Sequence, residues 1–242
     1  MNIIRVETVA STNSYLKELA HHRVLEEGTV IVTRNQTEGR GQRGNTWESE
    51  AGKNIACSIL LCPSFVPIQR FFLLSEAISL GVKETLDAYT DGITVKWPND
   101  IYHQERKIAG ILIENEITGN KYSLSVAGIG ININQERFLS DAPNPVSLKQ
   151  ITGKDHDTEA LSKELVRNIF YRYEQLKAGN TETLIRMYHD ALYRKIGFHH
   201  YEDSGGIFNA HIVRVSDDGF LHLITDREEE RSYEFKSVRF IG

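Results

Sequence analysis

"ITVKWPNDIYHQERKIAGILIENEITGNKYSLSVAGIGININ", residues 93–134, is the stretch on which the fold turns. Its β-branched residues fall into short runs, "ITVKWP", "DIYH", "KIAGILIEN" and "YSLSVAGIGININ". These read as successive strands with turns at 104–105 and 118–120. Pro98 fixes the first turn, so Lys96 and Asp100 flank it at a strand end. Lys107 then falls in the next strand across a short hairpin, with Ala109 and Gly110 leaving room beside it.

Upstream, residues 2–9 form a short expected strand, followed by "STNSYLKELAHH". There Ser11 or Thr12 can cap a helix that carries Tyr15, Leu16 and Leu19 on one face. "TVIVTR" (29–34) and "NIACSILLC" (54–62) are strands, and "EGRGQRGNTW" (38–47) is the loop between them. Residues 67–89 form a long helix with proline in its first turn. Downstream lie a looser segment at 135–157 with Pro143 and Pro145, and helices at 158–177 and 181–192. The last fifty residues alternate short β-rich runs with turns at "DSGG" and "SDDG", the pattern of a small barrel-like domain. The expected division is 1–190 and 191–242.

Composition narrows the function. The formal net charge of −5 leaves no broad basic footprint for DNA. Cys57 and Cys62, the only cysteines, read as thiols on an apolar run and not as a CxxC pair. The amino terminus has no secretory pattern and no apolar stretch is long enough to span a bilayer, so a cytoplasmic location is expected. "GIGININ" (128–134) fails as a dinucleotide fingerprint, because position 133 is isoleucine and the segment alternates like a strand. No Walker A pattern or HExxH occurs; the histidine pairs 21–22 and 199–200 and the run "DREEER" (226–231) read as solvated surface.

The glycine-rich loop and the hairpin lysine point elsewhere. Arg40, Arg43 and Lys107, with glycine-freed backbone N–H groups, suit an anionic ligand at a strand-rimmed pocket. No nucleophile–base pair accompanies them, which leaves positioning and charge stabilisation as the mechanism.

At these residues the sequence resembles the biotin–protein ligases. The family's ordered markers stand here as Ser11–Thr12–Asn13, "GRGQRGN" (39–45), "KWPND" (96–100), "KIAGILIE" (107–114) and "GIGIN" (128–132). The resemblance implies an α+β fold: a class II synthetase-like mixed sheet flanked by helices, with a small C-terminal SH3-like β-barrel domain. It implies that biotin and ATP, with Mg2+, give biotinyl-5'-AMP. The biotinyl group then passes to a lysine of a biotin carboxyl carrier protein domain. Ser11, Thr12, Asn13, Gln36, Gly39, Arg40, Lys107, Gly110 and Gly128 are the implied biotin contacts, with the backbone near Gly130. Arg43, Trp47, Lys96, Asn99, Asn132 and, more loosely aligned, Arg239 are implied on the nucleotide side. Asp100 is implied for the metal or for the carrier lysine's proton, and Lys107, Arg40 and Asp100 make up the implied catalytic set.

Ser11 lies near the start of the sequence, so we expect a ligase without the winged-helix domain of the repressor-type members that does not bind DNA, and the lack of a long apolar stretch leads us to expect no membrane partner. Members often dimerise through the exposed sheet, and a homodimer is carried as an option. Gln42 and Asn45 depart from the family's arginines, which leads us to expect weaker adenylate retention. The rival readings are a lipoate or octanoate ligase of the same superfamily, a non-catalytic biotin-binding module and, more distantly, a DNA-binding regulator.

Overall fold

A computed structural model describes residues 2–140 and 144–241, and of Arg43 only the backbone. The expected strands at 93–134 become β4 (Ile93–Lys96), β5 (Asp100–His103), β6 (Arg106–Thr118) and β7 (Lys121–Ile131). With β1 (Asn2–Val9), β2 (Thr29–Gln36) and β3 (Ile55–Leu61) they form one seven-stranded sheet in the order β1-β2-β3-β7-β6-β5-β4. β1 and β2 are parallel and every other neighbouring pair is antiparallel. The sheet is therefore mixed, as expected.

Its two faces are covered unequally. Helix α2 (Phe72–Asp87), α4 (Thr158–Lys177) and α5 (Thr181–Asp190) lie against one face. Val30, Ile55, Cys57, Ile59, Leu61, Ile111 and Ile129 point into that main core. The intervening residues of the same strands face the other way, because successive strand side chains alternate. Ile31, Leu60 and Val126 thus meet Leu16 of α1 (Thr12–His22) in a smaller cluster. α1 covers only part of this second face, and the uncovered remainder is the floor of a cavity.

The described elements depart from the sequence expectations in detail. The helix expected at 67–89 begins as a 3-10 turn at Ile68–Arg70 before α2 starts. The segment expected to be loose contains α3 (Leu148–Thr152), where Ser147 and Gln150 form a reciprocal capping box. The last helix ends at Asp190, because residues 191–193 run beside β4, with Val95 N donating to Ala191 O and Tyr193 N to Val95 O.

The small carboxyl-terminal sheet contains β8 (His199–Asp203), β9 (Gly206–Val215), β10 (Leu221–Thr225), β11 (Glu230–Tyr233) and β12 (Arg239–Phe240), all antiparallel. It docks on the α2 side through Arg70 and Asp217, 2.5 Å apart, and through Trp97 Nε1, which donates to Gly219 O at 2.9 Å. Among the described residues no helix is long and apolar enough to cross a membrane.

Candidate active site

Strand register builds the cavity floor. One row across the sheet reads Ala56, Gly130, Gly110, Asp100 and Lys96, and the next reads Ser58, Gly128 and Leu112. The glycines matter because other side chains stand on them. A Cβ at Gly128 would lie 2.3 Å from Asn13 Oδ1, and one at Gly130 would lie 2.4 Å from Trp47 Cε2. Gly110 is tighter than usual too, with Trp47 Cζ3 at 3.0 Å. The cavity above this floor measures about 760 Å³, within the usual range for small-molecule sites.

Lys107 reaches the floor through an irregularity. By simple alternation it would join Ala109 and Ile111 on the core face. Register shifts between Ile101 and Tyr102, however: Ile101 pairs with Ala109 and Tyr102 with Lys107, which leaves Ile108 as an extra, fully buried residue. The bulge turns Lys107 onto the face of Gly110. There its Nζ lies 2.6 Å from Asp100 Oδ1 and 5.5 Å from the centroid of the Trp47 ring.

The amino-terminal end of α1 forms one wall. Ser11 caps it, its side chain accepting from Ser14 N. Thr12 N donates to Gln36 Oε1 at 2.9 Å. The Ser58 hydroxyl lies 2.6 Å from Asn13 Oδ1, to which it donates, and 2.7 Å from the Thr12 hydroxyl. Asn13 Nδ2 donates to Glu114 Oε2 at 2.8 Å. Three buried polar side chains, Thr12, Asn13 and Ser58, are satisfied here by one another and by the half-buried Gln36 and Glu114, which fixes the wall before any ligand arrives.

The glycine-arginine loop crosses above as a short strap. Arg40 bridges to Thr46, Gly41 N donates to Asn45 O, and a 3-10 turn fills Gln42–Gly44. Arg40 Nη2 donates to Glu114 Oε2 at 2.9 Å, so the strap and Asn13 share one carboxylate oxygen. Trp47 leaves the strap with its ring on the glycine floor and its Nε1 buried without a hydrogen-bond partner among the described residues. An orphaned indole N–H beside a polar cavity is a donor ready for a ligand.

Most of the sequence candidates converge on this cavity. Ser11, Thr12, Asn13, Gln36, Arg40, Trp47, Asn99, Asp100, Lys107, Gly110, Gly128 and Asn132 all line it. Gly39 lies beneath the strap, where a Cβ would meet Trp47 O at 2.3 Å. The expectation for Arg43 falls on a side chain outside the described residues.

Two of the expected nucleotide-side residues stand apart from the cavity. Lys96 occupies the floor row next to Asp100, yet it does not line the cavity. Tyr102, Tyr193 and Phe240 surround its ammonium at 4.5, 5.6 and 5.2 Å from their ring centroids, and burial pushes its pKa down. It serves as a cationic clasp to the small sheet. Arg239 is also absent from the cavity: its register on β12 sets it against Glu202, on a largely exposed position. Phe235 and Lys236 are the small sheet's contribution to the lining.

Ser58, Glu48, Glu114 and Phe138 belong to the neighbourhood and were not expected. Ser58 could have been inferred from being the lone polar residue inside "ACSILL". The strap contact of Glu114 and the placement of Phe138 had no local signal. Asp100 is occupied by Lys107, and the described residues include no group of three acidic, histidine or cysteine ligands.

Comparison with known proteins agrees with this construction. The family model for the biotin/lipoate A/B protein ligases matches residues 6–132. A relative in Bacillus subtilis, described as bifunctional ligase/repressor BirA, is 28% identical over 242 residues, covering 96% of this chain and 72% of its own. The biotin–[acetyl-CoA-carboxylase] ligase of Mycobacterium tuberculosis is 30% identical over 184 residues, covering 73% of this chain and 66% of its own. Among solved structures, the biotin protein ligase from Aquifex aeolicus in complex with biotin and ATP superposes with a TM-score of 0.80 at 25% identity, covering 99% of both chains. The resemblance read from the five ordered motifs is borne out, and the chain belongs to the biotin/lipoate A/B protein ligase family.

Proposed function

We propose that this enzyme is an ATP-dependent biotin–protein ligase. In the first step a biotin carboxylate oxygen bonds to the α-phosphorus of ATP, the bond to the pyrophosphate oxygen breaks, and biotinyl-5'-AMP and pyrophosphate form. In the second, the neutral ε-amine of a lysine on a carboxyl carrier domain bonds to the acyl carbon. The acyl–oxygen bond to AMP then breaks and the amine gives up a proton. The observation that carries this reading is the convergence of the five motifs on one cavity, with Lys107 raised onto its floor by the bulge.

The residues divide the work by their chemistry. Step one brings two anions together, and the Lys107 ammonium stands where it can neutralise charge growing on the phosphoryl and carboxylate oxygens. Arg40 adds a second cation from the strap, oriented by Glu114. The Ser11–Asn13 wall and Gln36 offer hydroxyl, amide and backbone groups for the ring end of biotin, and we assign Trp47, Asn99 and Asn132, which also line the cavity, to the nucleotide. The strap excludes water from a mixed anhydride that hydrolysis would destroy. Asp100, placed against Lys107, is the group positioned to accept the carrier amine's proton.

Magnesium enters as part of the nucleotide substrate, which suits an ion that binds phosphate oxygens and water with few protein ligands. The division into a catalytic unit (1–190) and a small carboxyl-terminal unit (191–242) belongs to the same proposal. Radiolabelled pyrophosphate exchange into ATP, dependent on biotin, tests the first step. Transfer of label to a carrier domain and not to a variant lacking its target lysine tests the second.

A further inference from the structure

One wall of the cavity is explained by none of the five motifs. It is the segment 135–140, which contributes Phe138 and Ser140 to the lining. Its middle is tied to α3, where Lys149 Nζ lies 2.6 Å from Glu136 Oε1 and Gln150 Nε2 donates to Glu136 O at 2.9 Å, and its two ends meet one carboxylate. Glu48 Oε1 accepts from Gln135 Nε2 at 2.8 Å and from Leu139 N at 3.0 Å, and Oε2 accepts from Leu139 N at 2.9 Å and from Ser140 N at 2.6 Å. Gln135 itself is 1% exposed; its Oε1 accepts from Glu50 N at 3.0 Å and from Asn54 Nδ2. Both ends of the wall are thus pinned to the stretch of chain that leaves the strap.

Glu48 directly follows Trp47. Trp47 rests on the glycine floor, whereas Glu48 reaches the wall. The two neighbours therefore connect floor, strap and wall through adjacent backbone. Burial tends to raise the Glu48 pKa, but the hydrogen bonds from Leu139, Ser140 and Gln135 outweigh it and hold the carboxyl below its usual range. The clasp is made by the ionised form, and charge-assisted bonds are the stronger kind.

We propose that Glu48 is a positioning residue that ties the 135–140 wall to the strap, so that the two covers of the cavity hold a bound acyl-adenylate together. Neither motif arithmetic nor the family match assigns this residue. The identity of the ligand rests on the biotin-ligase reading; the clasp itself does not. A merely structural anchor would affect the wall without affecting the retained intermediate, and this difference separates the two roles.

The test compares the full chain with Glu48→Gln and with Glu50→Gln, which neutralises an exposed carboxylate two residues away. Tryptic cleavage after Arg137, followed by mass spectrometry of the fragments, reads the wall in the ligand-free protein. Release of acyl-adenylate, formed from biotin and ATP and chased with unlabelled biotin, reads retention. In Glu48→Gln we expect faster cleavage, and release of the acyl-adenylate about tenfold faster than in the parent. Glu50→Gln should behave as the parent. Equal cleavage in all three proteins overturns the clasp. Faster cleavage with unchanged release overturns the positioning role. If the parent forms no acyl-adenylate from biotin, the biotin-ligase reading falls instead, and the cleavage comparison still decides the clasp.

Discussion

Lys107 Nζ lies 2.6 Å from Asp100 Oδ1, and the two meet only because Ile108 is an extra residue in β6. Both side chains are about a quarter exposed, so the pair adds little to stability, on the order of 0–1 kcal/mol. Its value lies in placing a cation and a carboxylate side by side at the cavity floor. Lys107→Ala is expected to leave the thermal midpoint within a few degrees of the parent and to lower adenylate formation by at least about a hundredfold. Circular dichroism melting and single-turnover adenylation check the two halves. A fully active, stable variant would remove Lys107 from the chemistry.

Gly128→Ala tests the floor. The added methyl would lie 2.3 Å from Asn13 Oδ1, and Asn13 cannot retreat without giving up its bonds to Glu114 and Leu112 O. We expect a loss of about 1–3 kcal/mol in stability and a raised KM for biotin with a smaller change in KM for ATP. Denaturant melts and steady-state kinetics measure both. An unchanged KM for biotin would separate the α1 wall from the biotin end.

Much of this floor could be read before the structure. The runs at 93–134 gave the strands, and their glycines marked a close approach. The tenants of those glycines could not be read, because Asn13 and Trp47 arrive from distant parts of the chain. The same limit explains Lys96 and Arg239. The row position of Lys96 was legible, but its enclosure depends on Tyr193 and Phe240, which fold back from the far end of the sequence. Arg239 was placed by a short motif, whereas pairing with β8 decides where it points. Glu48 carried no local signal, since its partners lie about ninety residues away.

The strap makes a graded prediction. Gln42 lines the cavity where the family pattern has arginine, and it offers no charge to an adenylate phosphate. Gln42→Arg is expected to slow release of the acyl-adenylate by about tenfold, the worth of one charge-assisted hydrogen bond. The off-rate from a chase experiment measures it. Unchanged release would show that this position does not reach the phosphate.

Glu76 predicts a pH dependence far from the cavity. It is 1% exposed on α2, its oxygens have no hydrogen-bond partner among the described residues, and burial raises its pKa from 4.5 to about 8. Asp217 adds to that rise and Arg70 opposes it, while Tyr188 faces the same pocket. The folded protein keeps the proton that the unfolded chain loses near pH 4.5. Its contribution to stability is therefore fully present below that pH and declines by on the order of 1 kcal/mol per unit up to about pH 8. Glu76→Gln should flatten this decline and gain most over the parent at pH 8 and above. Thermal midpoints of both proteins between pH 5 and 9 are the check, and parallel curves would show that Glu76 does not stay protonated.

The central claim is the first half-reaction. ATP–pyrophosphate exchange with the purified full chain, supplied in turn with biotin, lipoate and octanoate, tests it most directly. The account predicts exchange with biotin alone, lost in Lys107→Ala. Exchange with lipoate or octanoate in place of biotin, or no exchange with any of the three acids, would contradict it.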